Sequence, residues 1–568
     1  MVETQEIERA DYLAMRGLWT PPHYLCYALL AVTVLLFSFV RWRLRDMPLQ
    51  RDEGEYAYAG QLLLRGIPPY QVAYNVKLPG TYAAYAAILW IFGQTPAGIH
   101  VGLLVLNAAT GLLLFVIGLR LFEMPAAAFA GMSYLLLSSS RSVLGFQGHA
   151  THFVVFFALA AILLLLKALD KNSIWLLGTS GLLFGMAILM KQHGVFFLGF
   201  ALLYLLLREY RQRTGPRSMF WKSAALVLGA AFPLALTFLI LWHWGVFAKF
   251  WLWTFHYAHT YTTTHTWAYA RRIILTKARS VTHPLELIWM ISLIGLSALW
   301  WDPGARSKAD FILTLFFFSC LSVCPGFVFR GHYFILLLPA TALLVGIAVS
   351  SSSRWLTAKA KVWPRAFPWI MVLPGVIFLL AYSFSIVRER NLLFEMDPVV
   401  ASREFFGFPE GLAAGDFIRQ HSTPDARMAV LGSEPEIYFY SHRLSATGYI
   451  YTYPLMEAQI YAPAMQREMI GEIENARPEF LVLIYSRDSW GRQVSTDETI
   501  FKWADAYLQQ EYHLAATVSL PSNLHLIGHA EASTPVAPAL IYILQRGKVD
   551  SPSLIPKLSD LPAFTDFK

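Results

Sequence analysis

The sequence predicts a polytopic α-helical membrane protein with a C-terminal α/β soluble domain. Three observations carry this prediction. The 568 residues are 56% hydrophobic and only 14% charged, whereas soluble proteins carry roughly a quarter charged residues. Apolar runs of membrane length recur through the first two thirds of the chain. After Arg388 the composition turns mixed and polar, with Pro and Gly punctuation.

The apolar spans are read at 24–40, 98–119, 125–145, 152–168, 174–190, 194–207, 222–243, 284–301, 310–328, 332–349 and 367–386. A spanning helix needs about 20 residues, so the shorter runs borrow flanking residues and the total is about eleven. The run from Pro79 to Phe92 is shorter still. It is read as a juxtamembrane helix in the interface. With the N-terminus inside, the connectors 208–222 (Arg208, Arg211, Arg213, Arg217, Lys222) and 354–365 (Arg354, Lys359, Lys361, Arg365) fall inside, as positive-inside bias requires. Counting 79–92 as a span would put both outside. The basic run Arg41 to Arg45 lands outside and runs against the rule. Residues 1–23 carry more acid than base and no cleavage pattern follows, so no cleaved signal is expected.

In 390–568, "RMAVLG", "FLVLIYS" and "ALIYILQ" have strand length, while "GLAAGDFIRQH" and "MQREMIGEIENA" have helical character. The domains are therefore set at 1–389, with 41–97 as the first outer loop, and at 390–568, which the span count places outside. The three cysteines (Cys26, Cys320, Cys324) all lie in apolar segments and form no metal spacing. The net charge of +8 sits largely in short loops and calls for no nucleic-acid partner.

The spans hold almost no ionisable residues, unlike ion-driven transporters. Polar groups gather instead at span ends on the outer side. The first outer loop carries Asp52, Glu53, Glu55 and Lys77. Later outer connections carry His149 and His152, then Lys191, Gln192 and His193, then the aromatic stretch 250–267 with His259, and finally Arg330, His332 and Tyr333. Each has a plain reading: solvated acids, interfacial histidines, a snorkelling lysine, a basic anchor, an aromatic belt. Their recurrence on one face favours a site at the membrane–water boundary. As metal ligands, His149 and His152 lack a clear third and fourth partner.

"RDEGEYAYAG" joined to "NVKLPG" resembles the GT-C superfamily of membrane glycosyltransferases, nearest the protein O-mannosyltransferase type (glycosyltransferase family 39) and the lipid A aminoarabinose transferase. Asp52-Glu53 and Tyr56-Ala57 match that family's acidic element. Lys77-Leu78-Pro79 matches its Lys-Pro element with one residue inserted. "MKQHG" and "RGHYFILLLPA" resemble later elements, and His152 stands where an acid is usual. The segment "GSEPEIYFYSHRLSATGYIYTYP" resembles an outer domain of bacterial members.

The resemblance implies transfer of a sugar from a polyprenyl-phosphate donor to an acceptor, with inversion, at the outer face of the bacterial inner membrane. The acceptor is a glycan, lipid or protein; membrane lipid is the other partner. Asp52 is then the base and Glu53 its support, with Glu55 merely solvated. Lys77, Lys191 and Arg330 hold the donor phosphate. Tyr56, Tyr58, His149, His152, Gln192, His193, His259, His332 and Tyr333 contact sugar or acceptor. No cofactor is required; a divalent metal near Asp52 and His152 stays an open alternative. A transporter or flippase, or a non-catalytic binder of lipid-linked sugar, is the rival reading.

Overall fold

The computed structural model describes residues 23–262, 266–360, 372–519, 523–526, 540–547 and 555–564. The N-terminal segment, Lys361, Arg365 and the first part of span 367–386 lie outside the described residues. Each predicted span has an apolar helix at its place. Six of these are long and apolar enough to cross a membrane: Tyr24–Arg43, Pro96–Leu121, Ala150–Lys171, Gln192–Arg211, Pro216–His243 and Gly331–Lys359. Met124–Leu137, Ile174–Met190, Ala309–Val323 and Leu373–Arg388 are shorter apolar helices. Glu286–Trp301 forms a bent pair with Trp267–Thr282. The chain is a multi-pass membrane protein. Gly80–Phe92 has 13 residues, about 20 Å of helix, too short to cross.

The residues form two compact units. The first holds Met1–Arg43, Leu103–Leu236 and His265–Met396. Its central element is Gly331–Lys359, whose apolar window is 94% buried. Met124–Leu137 and Glu286–Trp301 pack on it. Small residues permit this. A Cβ on Gly346 would strike the Ala126 carbonyl, and one on Gly295 the Leu344 carbonyl. Close backbone approach at glycine is how apolar helices associate where no hydrophobic driving force separates helix from lipid.

This unit also explains two of the three arginines in the run that defied the charge rule. Arg41 is buried, and its guanidinium donates to the carbonyls of Ser138 at 2.9 Å and Gly145 at 3.0 Å. Arg43 donates to the carbonyls of Leu393, Met396 and Leu392 at 2.8–2.9 Å. Both satisfy backbone acceptors at the ends of apolar segments, so neither reports topology.

The second unit holds Leu44–Gly102, Thr237–Thr264 and Asp397–Lys568. The sequence places 41–97 with the membrane domain, whereas the structure clusters nearly all of that loop with the C-terminal residues. The unit contains a six-stranded sheet in the order β2-β1-β3-β6-β4-β5. The strands are β1 (Arg427–Leu431), β2 (Leu444–Ser445), β3 (Phe480–Ile484), β4 (Tyr512–Ser519), β5 (Asn523–Leu526) and β6 (Ile541–Arg546). β2, β1 and β3 pair in parallel, and the other pairings are antiparallel. The three expected strands and both expected helices are present, Pro409–His421 and Ala462–Ala476.

One core unites the pieces of this unit. Tyr74, Trp253 and Tyr257, from the two earlier segments, are buried among Tyr449, Leu455, Met465, Leu481 and Trp490. The Trp253 ring lies 5.9 Å from Tyr74 and 5.8 Å from Tyr449. Aromatic side chains bury more apolar area than any others, so these three decide where the loops settle.

Candidate active site

The acidic stretch forms the helix Arg51–Leu64. Asp52 and Glu53 lie in its first turn, where the positive end of the helix dipole favours carboxylates. The Gln50 amide donates to Glu53 Oε2 at 3.4 Å, tying the chain as it enters the helix. Residues Glu53 to Leu62 are buried. Gly54 lets the helix lie directly on Glu436, because a Cβ there would meet Glu436 backbone and Cβ at 2.5–2.6 Å. Gly60 does the same against Tyr85 and Ala86.

Asp52 and Glu55 are three residues apart and share one helix face. Lys77 Nζ donates to Asp52 Oδ1 at 2.7 Å and to Glu55 Oε2 at 2.9 Å. The Tyr82 hydroxyl donates to Glu55 Oε1 at 2.6 Å. The Lys77 ammonium sits 4.6 Å from the Tyr56 ring centre, and that ring meets Tyr85 edge-on at 5.3 Å. Burial by itself would lower the Lys77 pKa. Asp52 and Glu55 outweigh burial and hold it well above its ordinary value. Burial raises the Glu55 pKa, and Lys77 opposes that rise without cancelling it.

Glu55 therefore corrects the sequence reading: it is not solvated but fully buried. Of the three acids, Asp52 is the one that reaches solvent, with 24% of its side chain exposed against 1% for each of the others. Lys77 has partners that the motifs did not announce. Its ammonium is shared by two carboxylates, a pairing the sequence reading did not include.

Glu53 points elsewhere. Its Oε1 lies 3.2 Å from His100 Nε2, and His100 Nδ1 lies 2.7 Å from the Arg45 carbonyl. A carbonyl only accepts, so Nδ1 carries a proton. The contact between Nε2 and the carboxyl then needs a second proton. Glu53 is thus half of a buried His–Glu pair that supports the helix. Tyr58 is a further correction. It is fully buried, stacks on Tyr438 at 5.1 Å and accepts the Ser445 amide at 2.8 Å, leaving no face for a sugar.

Arg51 anchors the start of the helix. It donates to Glu434 Oε1 at 2.7 Å and to the Asp488 carbonyl at 3.2 Å. It also bonds the Tyr453 hydroxyl. Glu434 in turn accepts from the Ser489 hydroxyl at 2.5 Å and the Ser433 amide at 2.7 Å. Sequence reasoning missed Glu55, Tyr82, His100 and this Arg51–Glu434 latch. The Asp52/Glu55 spacing was the available signal for Glu55; the others come from distant positions that carry no local signal.

The first unit gathers a second set. Lys191 Nζ lies 4.0 Å from the Tyr333 ring centre. His193 and His332 each meet that ring at 4.8 Å. His149 stacks on His332 at 4.1 Å, with 14° between the planes. The structure thus brings together His149, Lys191, His193, His332 and Tyr333. His152 is buried in the first turn of Ala150–Lys171. Gln192 and Arg330 are exposed. In the second unit His259 is exposed on the short helix Ala258–Thr262.

The resemblance to GT-C membrane glycosyltransferases that the motifs implied is matched by a family model over part of the chain and by the folds of solved structures. Residues 77–242 match the family described as dolichyl-phosphate-mannose-protein mannosyltransferase. Among solved structures, the chain is similar to ArnT from Cupriavidus metallidurans bound to undecaprenyl phosphate. That match has a TM-score of 0.58 at 14% identity and covers 91% of this chain and 97% of that one. It is also similar to the archaeal oligosaccharyltransferase AglB from Archaeoglobus fulgidus, in complex with an inhibitory peptide and a dolichol-phosphate. There the TM-score is 0.50 at 13% identity, covering 90% of this chain and 75% of that one. No curated protein matches the sequence.

Proposed function

We propose that the protein transfers a sugar from a polyprenyl-phosphate donor to an acceptor hydroxyl, with inversion, at the extracytoplasmic face of a bacterial inner membrane. The observation that carries this is the Asp52 carboxylate: solvent-reaching, fixed on a helix terminus and held at 2.7 Å by Lys77. A hydroxyl is a weak nucleophile and needs a base within hydrogen-bond reach. In the step, the acceptor oxygen attacks the anomeric carbon and its proton passes to Asp52. The carbon–oxygen bond to phosphate breaks, and the electron pair leaves with the lipid phosphate.

Lys77 is a positioning residue that holds the Asp52 carboxylate in place through their ion pair. Tyr56 lies beneath that lysine and offers an aromatic face to the same pair. In the first unit, Lys191 and Arg330 are assigned to the donor phosphate, whose charge grows as the bond breaks. His149, His193, His332 and Tyr333 surround Lys191 and are assigned to donor contacts. The carrier lipids named with ArnT and AglB support a polyprenyl-type phosphate as donor. The reading assigns no cofactor, and a divalent metal near Asp52 is its alternative.

The test is Asp52→Asn, assayed with labelled polyprenyl-phosphate sugar in membranes. Transfer is expected to fall on the order of 10²–10⁴-fold, with expression and donor binding retained. Wild-type turnover would remove Asp52 as the base.

A further inference from the structure

The helix Trp267–Thr282, "WAYARRIILTKARSVT", contains no acid and four cations. Arg271, Arg272, Lys277 and Arg279 are all exposed. Among the described residues none of the four forms an ion pair. Beside them an apolar stripe is also exposed: Trp267 at 67%, Ile274 at 39% and Leu275 at 78%. At 100° per residue, Trp267, Ile274 and Leu275 fall on one side. Arg272 and Arg279, seven residues apart, border it on one edge, Lys277 lies toward the other, and Arg271 falls within it.

A flank beside this stripe is docked on the rest of the first unit. Ala270 and Val281 are buried. The Ser142 hydroxyl donates to the Val281 carbonyl at 2.8 Å, and the Trp267 ring lies 5.6 Å from Phe327. The helix is thus held along its length with a mixed apolar and cationic face turned outward. The next helix, Glu286–Trp301, bends away by 109°. It exposes Leu287, Met290, Leu293, Ile294 and Trp300, a surface suited only to lipid chains. A helix at 109° to a lipid-embedded one runs along the membrane surface, where its stripe meets acyl chains and its cations meet headgroups.

We infer that Trp267–Thr282 is an interfacial helix that binds anionic phospholipid headgroups through Arg271, Arg272, Lys277 and Arg279. The occupant follows from charge complementarity, since four cations without an acid select anionic over zwitterionic lipid. This inference does not depend on the transferase reading.

The test uses full-length protein in mixed micelles of phosphatidylglycerol and phosphatidylcholine, with retained lipid read by native mass spectrometry. Wild type is expected to retain phosphatidylglycerol in excess, on the order of tenfold, and to lose that excess as salt rises. The variant R271Q/R272Q/K277Q/R279Q is expected to show no preference, while R271K/R272K/R279K keeps it. An unchanged preference in the glutamine variant overturns the proposal. So does a wild-type preference that salt does not weaken, or loss of polyprenyl-phosphate retention with phosphatidylglycerol retention intact.

Discussion

Lys77 carries two acids at once, and this shapes what its loss would do. Without the ammonium, Glu55 is left buried with the Tyr82 hydroxyl as its side-chain donor among the described residues. Removing one partner of a buried ion pair destabilises by about 3–5 kcal/mol; the raised Glu55 pKa lets a proton replace part of that loss. Lys77→Met is therefore expected to lower thermal stability and kcat while leaving donor affinity nearly unchanged. Lys77→Met with Glu55→Gln should regain stability but not kcat. A large loss of donor affinity in detergent binding assays would return Lys77 to the phosphate. A second residue carries a pH signature. Glu436 is fully buried, and neither carboxyl oxygen has a hydrogen-bond partner among the described residues. Burial first, then the neighbouring Glu434, pushes its pKa well above the ordinary carboxyl value of 4.5. The folded chain keeps a proton there that the unfolded chain releases above that pH. Stability from this group is complete below pH 4.5 and is lost as pH rises through the folded value. Glu436→Gln is expected to flatten that loss and raise Tm near neutral pH. A thermal-shift profile identical to wild type at every pH would contradict the protonated state.

At the scale of elements, the helix Arg51–Leu64 works as a rigid mount. Arg51 fixes its start through Glu434, Glu53 ties its first turn to His100, and two glycines press its sides onto neighbouring backbone. Asp52 inherits that rigidity, since its position is set by contacts it does not make. Gly54→Ala tests the mount. The added Cβ must displace the Glu436 backbone, and overpacking of this kind typically costs about 1–3 kcal/mol. Reduced Tm and reduced transfer are expected together. Full activity at unchanged Tm would show that the helix position does not govern Asp52. The same close approach explains why this stretch reads as a loop-side acidic knot in sequence. Gly54, Gly60 and Asp52 lower intrinsic helix preference, and tertiary contact supplies what propensity does not.

At the scale of the whole molecule, the loop that carries Asp52 shares a core with the C-terminal residues. Tyr74, Trp253 and Tyr257 bridge segments separated by hundreds of residues within that unit. Trp253→Ala is expected to cost about 3–5 kcal/mol and to abolish transfer without touching any charged group of the site. Ending the chain before Asp397 should have the same effect, because it strips these aromatics of their partners and Arg51 of Glu434. Proteolysis of the Leu44–Gly102 segment in either variant would be the readout. Resistance equal to wild type would show that the segment folds without the C-terminal residues.

The apolar spans, the juxtamembrane length of Gly80–Phe92 and three of the six strands were legible in order along the chain, because hydrophobic runs and their lengths are local properties. Asp52 and Lys77 were singled out as parts of two motifs, and the structure brings them to 2.7 Å. β4 and β5 were not: β4 follows its helix without a turn, and β5 spans four residues. The burial of Glu55, the fate of Tyr58 and the His100 and Glu434 partnerships were invisible for one reason. Each depends on which distant backbone comes within a few ångströms, and a carboxylate in water and one in a core have the same sequence. The sequence by itself determined a multi-pass helical protein with an acidic stretch after its first apolar span. Only the tertiary structure decided which acid stays in reach of water, because burial and pairing arise from long-range packing and not from neighbours in the chain.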